Sequence, residues 1–470
     1  MRTVWVLGDQ LNRGISSLEG CDPAGTRILM VHARAKIRSK GFHPLRLALV
    51  RDAMTAFAGD LRAEGFDVDE REAAGFAAGL RAHRRAFGPG EVVAMEPMSW
   101  DGLRMLERLG VRAVRANQFL CHYEDFASWA AERGGRLRME DFYREQRRRL
   151  GYLMDGDAPA GGRWNLDHEN RDPPPRDGGT WRRVAPGWSS TRRGALARLR
   201  SFVAHDLPRF GTHQDAMLDD EWRLAHAVIS PYLNLGMIHP REVCDAVEEA
   251  YRAGAVPIAS AEGFIRQVIG WREYVWGVYW LRMPGMRDEN ALGADRPLPP
   301  ALTGAPTRMR CVASAVEGVE RRAYAHHIQR LMVLGNLGLL AGVRPSEMVD
   351  WMWESFIDGA EWVMIPNVIG MALHADGGRM MTQPYAAGGA YINRMSDHCG
   401  GCAYDPKRRT GDDACPFTTL YWDFLARHEE RFTGNPRMAR QVQGMRRLAD
   451  LPAVRERAAE VLTALDRGDL

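Results

Sequence analysis

Four cysteines have the types and spacing to hold a metal centre. Cys399 and Cys402 flank Gly400-Gly401, Cys415 follows in the next loop beside Pro416, and Cys311 stands upstream. The two glycines permit the tight turn that aims both thiolates at one ion. A third thiolate from the next loop and a fourth from the preceding helical body complete a four-sulfur site, which suits zinc or an iron–sulfur cluster equally. Cys21, Cys121 and Cys244 stand alone in apolar or helical surroundings and read as core residues. Two other groups could do chemistry. The run R-E-Q-R-R-R-L gathers Arg144, Arg147, Arg148 and Arg149, which reads as a solvated helix face or as a phosphate contact. His326 and His327 are adjacent, so on a helix they point about 100° apart and only one can face a given target. Imidazole titrates near working pH, which suits proton transfer.

The elements that must position these groups follow from periodicity. The chain of 470 residues is long enough for two or three domains. Apolar runs at Thr3–Leu7, Ile28–His32, Val92–Met95 and Val111–Val114 read as buried strands. Between them, Leu47, Val50, Met54, Phe57 and Leu61 mark one face of a helix. This alternation predicts an α/β domain over 1–125, a doubly wound parallel sheet, with the loop Gly8-Asp9-Gln10-Leu11 where such sheets bind small molecules. A connector rich in Arg, Pro and Gly is expected over 126–195, with its triple proline at 173–175 and Gly178-Gly179. An all-helical domain is expected over 196–470, with helices at Ala195–Phe210, Pro240–Ala253, Ala261–Leu281, Ala313–Leu340 and Pro345–Ile357. Ten of the 14 tryptophans fall after residue 180, which signals a large aromatic core, a redox relay or an aromatic cofactor pocket. The net charge of +3 excludes a polyanion-coating tail but permits a local basic groove. Asp9 interrupts the first apolar run early, so the start reads as a strand rather than a signal peptide. With no run long enough to span a bilayer, the cytoplasm is the expected compartment.

Taken in order, V-L-G-D-Q-L, F-Y-R-E-Q-R, G-G-R-W-N-L-D-H-E-N-R, I-S-P-Y-L-N-L-G-M-I-H-P, F-I-R-Q-V-I-G-W-R-E-Y, Y-A-H-H-I-Q-R-L-M, F-I-D-G-A-E-W-V-M-I-P-N and C-G-G-C make a specific set. The chain resembles the iron–sulfur branch of the photolyase/cryptochrome superfamily, the prokaryotic (6-4) photolyases and bacterial cryptochromes, over nearly its whole length. That resemblance implies FAD held in the helical domain by Ser230, Asn234, Gln267, Arg272, Asp358, Glu361 and Asn367, with Arg272 paired to Asp358. It implies a substrate pocket in which His327 acts as proton donor, His326 supports it and Tyr385 lines the wall. It also implies a 4Fe-4S cluster on Cys311, Cys399, Cys402 and Cys415, and a 6,7-dimethyl-8-ribityllumazine antenna at Asp9, Gln10 and Leu11. The implied partner is UV-damaged DNA, gripped through Arg144, Arg147, Arg148 and Arg149 by a protein acting as a monomer.

The pattern has departures. Leu302 stands before Thr303-Gly304, and Met352 follows Trp351, at two places where relatives carry aromatics. An electron route to the flavin would then run through Trp351, Trp353 or Trp362. His32 stands where relatives offer a carboxylate to the antenna. The implied activity is light-driven repair of (6-4) pyrimidine photoproducts. The alternatives are a flavin-bearing photosensor without repair and a zinc-stapled nucleic-acid-binding module without flavin.

Overall fold

The computed structural model describes residues 1–134, 137–175, 181–182 and 187–470; Gly178-Gly179 of the expected connector lie outside these. Strands β1 (Arg2–Trp5), β2 (Thr26–Ala33), β3 (Asp67–Ala73), β4 (Val92–Met95) and β5 (Arg112–Val114) form one parallel sheet in the order β3-β2-β1-β4-β5. The winding reverses between β1 and β4, so the Gly8–Leu11 loop leaves the sheet at its switch point. Strand β3 was not among the expected strands. It reads D-V-D-E-R-E-A: Asp67 and Glu72 are exposed, while Asp69, Glu70 and Arg71 are part-buried in ion pairs with Arg71, His83, His32 and Arg62, so this edge strand carries charge where an apolar run would be expected. The expected helix runs over Pro44–Ala63 and buries Met54, Phe57 and Leu61, with Leu47 and Val50 half-buried.

The segment expected as a connector is only partly one. Helices Tyr123–Glu132 and Met139–Leu150 place Phe126, Trp129 and Phe142 in the same core cluster as Tyr274 of the helical domain. Irregular chain begins after Leu150, with a two-strand bridge at Met154–Asp155 and Ala158–Pro159. The connector therefore starts later than residue 126. Its charged helix misled the reading because one apolar stripe is enough to dock it.

Three long helices of the C-terminal domain each contain a stretch wound as π-helix: Arg266–Arg272, Gln329–Gly335 and Pro366–Ala372. Such widened turns recur at functional sites because the extra residue re-aims side chains. The helix expected over Ala313–Leu340 is broken. Helix Arg310–Arg322 ends at Ala323 in a left-handed conformation (φ 53°), and helical winding resumes only at His327. Gly359 of the I-D-G motif is required by close approach, since a Cβ there would stand 2.4 Å from the Trp353 carbonyl oxygen. Among the described residues, no helix is long and apolar enough to cross a membrane.

Candidate cofactor cradle and lesion pocket

The widened helices are buried nearly all round, and their exceptions share one theme. Gln267, Trp271 and Arg272, then Arg330 and Leu331, then Val363, Asn367 and Met371 are partly exposed between fully buried neighbours. Partly open positions spaced along otherwise buried helices make these residues the wall of a candidate hollow. The side-chain amides of Gln267 and Asn367 each donate back one turn, to the carbonyls of Gly263 (2.9 Å) and Val363 (2.7 Å). Each then keeps an oxygen and a second N–H for a bound group.

The ion pair at this wall differs from the expectation. Arg272 pairs with the adjacent, fully buried Glu273 at 2.8 Å and stacks 3.9 Å over Phe119, so it does not meet Asp358. The partner of Asp358 is Arg330, whose Nη1 and Nη2 donate to the two carboxylate oxygens at 2.9 and 3.2 Å. Ser230 is the first residue of its helix and caps nothing; its hydroxyl donates to Asp358 at 2.6 Å. Asn234 donates to the Asp358 carbonyl at 2.9 Å. Glu361 is buried and its carboxylate is already committed to an ion pair with Arg287. Replacing Asp358 by Asn leaves Arg330 largely buried without a counter-charge, and is expected to lower the unfolding free energy by about 3 kcal/mol in urea titrations.

The two histidines sit at the break between helices rather than in mid-helix. The backbone N–H of His326 donates to the Gln329 side chain (3.2 Å), and its carbonyl accepts from Arg330 N–H (3.0 Å), which starts the new helix. His326 is fully buried with both ring nitrogens unpartnered, and burial, then His226 and His327, push its pKa well below the usual range. His327 is 44% exposed, 3.7 Å from the Asp215 carboxylate. A third histidine escaped the sequence reading. His226 stacks on His326 at 4.5 Å, with Nδ1 2.8 Å from the Arg223 carbonyl and Nε2 3.1 Å from the Gln214 carbonyl, so the neutral ring donates to one of the two. Burial, with His327 next, lowers its pKa to about 3. The unfolded chain protonates this ring near 6.5 and the folded chain does not. Its stability contribution is therefore complete above about pH 6.5 and falls toward pH 3, by about 1.4 kcal/mol per unit. His226→Gln is expected to flatten the urea-midpoint profile between about pH 6 and pH 4. Tyr385 and Tyr391 are half-buried near Asp215 and Arg171, and exposed Arg394 stacks on Tyr391 at 5.5 Å. Sequence reasoning gave no role to Arg171, which closes the G-G-R-W-N-L-D-H-E-N-R motif and is ion-paired with Asp167, or to Arg394, which stands alone in sequence.

The four cysteines come together as expected. Cys311 on helix Arg310–Arg322, Cys399 in the turn His398–Gly401, Cys402, and Cys415 before helix Pro416–Arg427 line one small cavity with His398 and Phe417. Burial and the neighbouring thiols raise Cys311 well above the usual thiol range and push Cys399 up to about 12. Thiols that oppose one another's ionisation in this way become thiolates only around a shared cation, so this donor set fits a metal centre.

Comparison with known proteins now becomes decisive. A (6-4) photolyase from Agrobacterium fabrum is 40% identical over 504 aligned positions, covering 98% of this chain and 99% of that one. The chain belongs to the prokaryotic photolyase/cryptochrome family. Residues 4–213 also match the model of the deoxyribodipyrimidine photo-lyase-related proteins. In fold, the chain is similar to a bacterial class III photolyase from Agrobacterium tumefaciens (TM-score 0.62, 16% identity, 99% of this chain and 98% of that one). It is also similar to a Synechocystis cryptochrome (TM-score 0.55, 14% identity, 95% and 99%). Membership of the photolyase/cryptochrome family implies FAD, and the polar wall described above suits it.

Other expectations for this photolyase/cryptochrome chain divide sharply. Gln10 is fully buried and its amide donates to the carbonyls of Met95 (3.0 Å) and Glu96 (3.2 Å), while Leu11 is buried and its N–H donates to the Leu235 carbonyl (2.9 Å). Both residues therefore hold the loop and clamp it to the helical domain, leaving Asp9 alone with its side chain partly open. Burial raises Asp9 to about 6, with backbone N–H groups and Lys36 opposing. His32 pairs with Glu70 at 3.1 Å. Arg147 cannot grip DNA, because it is fully buried and donates to the carbonyls of Tyr152, Leu153 and Trp164. Arg144 is paired with Glu140, Arg149 bonds to Gln146 and the Leu120 carbonyl, and exposed Arg148 lies 4.5 Å over Trp164. Trp351 packs against Phe356 at 6.1 Å, and Trp353 sits at the seam between the sheet domain and the helices, with Lys40 4.9 Å over its ring. Trp362 enters a larger aromatic cluster.

Proposed function

We propose that this protein is a DNA photolyase that repairs (6-4) pyrimidine photoproducts with light. The observation that carries the reading is the pairing of a buried, uncharged His326 with a half-exposed His327 beside Asp215, in a chain that shares its full length with a named (6-4) photolyase. FAD in the hollow supplies photo-driven one-electron transfer. Asp358 and Arg330 fix the wall, Ser230 and Asn234 hold the Asp358 loop, and Gln267 and Asn367 offer amide groups to the ring system. Arg272 adds a buried guanidinium whose Nε and Nη2 are unpartnered. His327, the half-exposed ring 3.7 Å from the Asp215 carboxylate, delivers a proton to the lesion; His326 stays neutral and seats the pair against His226. Tyr385 and Tyr391 give apolar faces for the flipped bases, and Arg171 and Arg394 contact phosphates near the pocket, with Arg148 as a more distant cation.

The cysteine set is assigned to a 4Fe-4S cluster that ties the turn and loop after residue 398 to helix Arg310–Arg322. The lumazine antenna rests on Asp9 alone, since Gln10 and Leu11 are committed to the loop. A photosensor without repair is the second reading, favoured by Leu302 and Met352 at places where relatives carry aromatics. Dark binding to a duplex with one (6-4) lesion tests the pocket. The expected result is tighter binding than to undamaged duplex, weakening with salt through the phosphate contacts. Equal affinity for both duplexes counts against a lesion pocket and for the sensor.

A further inference from the structure

The segment 214–219 has no helix or strand of its own, yet it joins the histidine cluster to the cysteine set. At one end, the Gln214 carbonyl stands 3.1 Å from Nε2 of His226, and the Asp215 carboxylate stands 3.7 Å from Nε2 of His327. At the other end, Asp219 reaches both halves of the cysteine set. Its Oδ2 accepts from Nε (2.8 Å) and Nη2 of Arg310, the residue before Cys311. Its Oδ1 stands 3.6 Å from Nδ1 of the buried His398, the residue before Cys399.

Between these ends the chain is held by two kinds of contact. Ala216 and Leu218 enter one hydrophobic core cluster and Met217 enters the other, so the segment is a strap laid along the seam between them. The Met217 N–H donates to the Met395 carbonyl (2.8 Å), and the Asp219 N–H donates to the Asp397 side chain (3.0 Å), which ties the strap to the chain leading into Cys399.

The two kinds of contact fix different things. Apolar burial is non-directional, so it sets how deep the strap lies but only loosely where it stops along its own length. Hydrogen bonds and ion pairs are directional, so the polar ties at Asp219 set that stop. His398, then Arg310 and Ser314, hold the Asp219 carboxyl below its usual range, with burial opposing them. Arg310 is exposed, so removing its partner strands no buried charge there, and Asp397 remains 3.9 Å from His398.

We propose that Asp219 is a positioning residue for the lesion pocket. It pins the strap to the two segments that carry Cys311 and Cys399, and the strap in turn holds Asp215 beside His327 and the Gln214 carbonyl beside His226. This rests on the lesion-pocket reading of the histidines. Side chains that handle a substrate must be held within a fraction of an ångström, so a small slide of the strap is felt at His327 although the fold survives it. The cysteine centre and the lesion pocket are thereby braced by one carboxylate.

The test is dark binding of the full-length, flavin-loaded protein to a duplex with one (6-4) lesion and to the undamaged duplex, with bound metal and urea midpoint measured on the same preparations. In Asp219→Ala the ratio of the two affinities is expected to fall about fivefold, the equivalent of one hydrogen bond, while bound metal stays as in the parent. Amide hydrogen exchange over 214–219 is expected to quicken in the same protein. Asp219→Asn keeps the shape but not the charge; a smaller fall is expected, and this variant decides the matter if Asp219→Ala loses metal. An Asp219→Ala protein with full metal and the parent's ratio overturns the positioning role. A lowered urea midpoint with an unchanged ratio does so too, because it marks a purely structural brace. Metal loss in both variants also overturns it, since Asp219 would then act on the cysteine centre and not through the strap. A parent that binds both duplexes equally overturns the lesion-pocket reading and this inference with it.

Discussion

Replacing His327 by Ala is expected to slow light-driven repair of a (6-4) lesion by about 100-fold or more, while flavin absorption stays unchanged, because a positioned general acid contributes on that scale. The ring is 44% exposed while His226 and His326 are buried, and the Asp215 carboxylate stands 3.7 Å from it. His326 is expected to respond differently. It is fully buried between His226 and the helix start, so His326→Ala opens a cavity and loosens the cluster, and the loss shows in stability as well as in rate. Single-turnover repair of a defined oligonucleotide, followed by chromatography, measures the first effect. A His327→Ala protein that repairs at the parental rate would move the proton to another group, with Tyr385 next in line.

Loss of any one cluster thiol is the second large effect. In Cys415→Ser, a residue that is buried and precedes the helix Pro416–Arg427, iron is expected to fall from about four atoms per chain to near none. The C-terminal helices should then become accessible to protease, because a metal that joins two segments contributes its binding energy to folding. Iron and acid-labile sulfide analysis beside limited proteolysis gives the answer. One zinc per chain and no iron in the parent protein would replace the cluster by a zinc staple.

The sequence made the chemistry-bearing groups more legible than their partners. The cysteines were readable because a Gly-Gly turn and a nearby third thiol restrict what the chain can do. The sheet was readable from apolar runs, except for β3, whose acidic edge carries no such run. Ion pairing was not readable. Arg272 and Arg330 both lie in recognisable motifs, and only the fold shows that Glu273 neutralises the first and Asp358 the second. Arg147 looked like part of a basic patch, since charge patterning cannot reveal that three carbonyls bury a guanidinium. His226 was invisible for a related reason, because its role comes from stacking on a residue far along the chain. The break at Ala323 also escaped periodicity, which reports a shared apolar face and not the continuity of the backbone beneath it.

Repair itself tests the central claim most directly. Chemically reduced protein is mixed with a duplex carrying a single (6-4) photoproduct, illuminated with blue light, and the restored pyrimidines are counted against a dark control and a cyclobutane-dimer substrate. The account predicts light-dependent restoration of the (6-4) lesion over many turnovers and little action on the dimer. Full flavin loading with no restoration of the (6-4) lesion would contradict it.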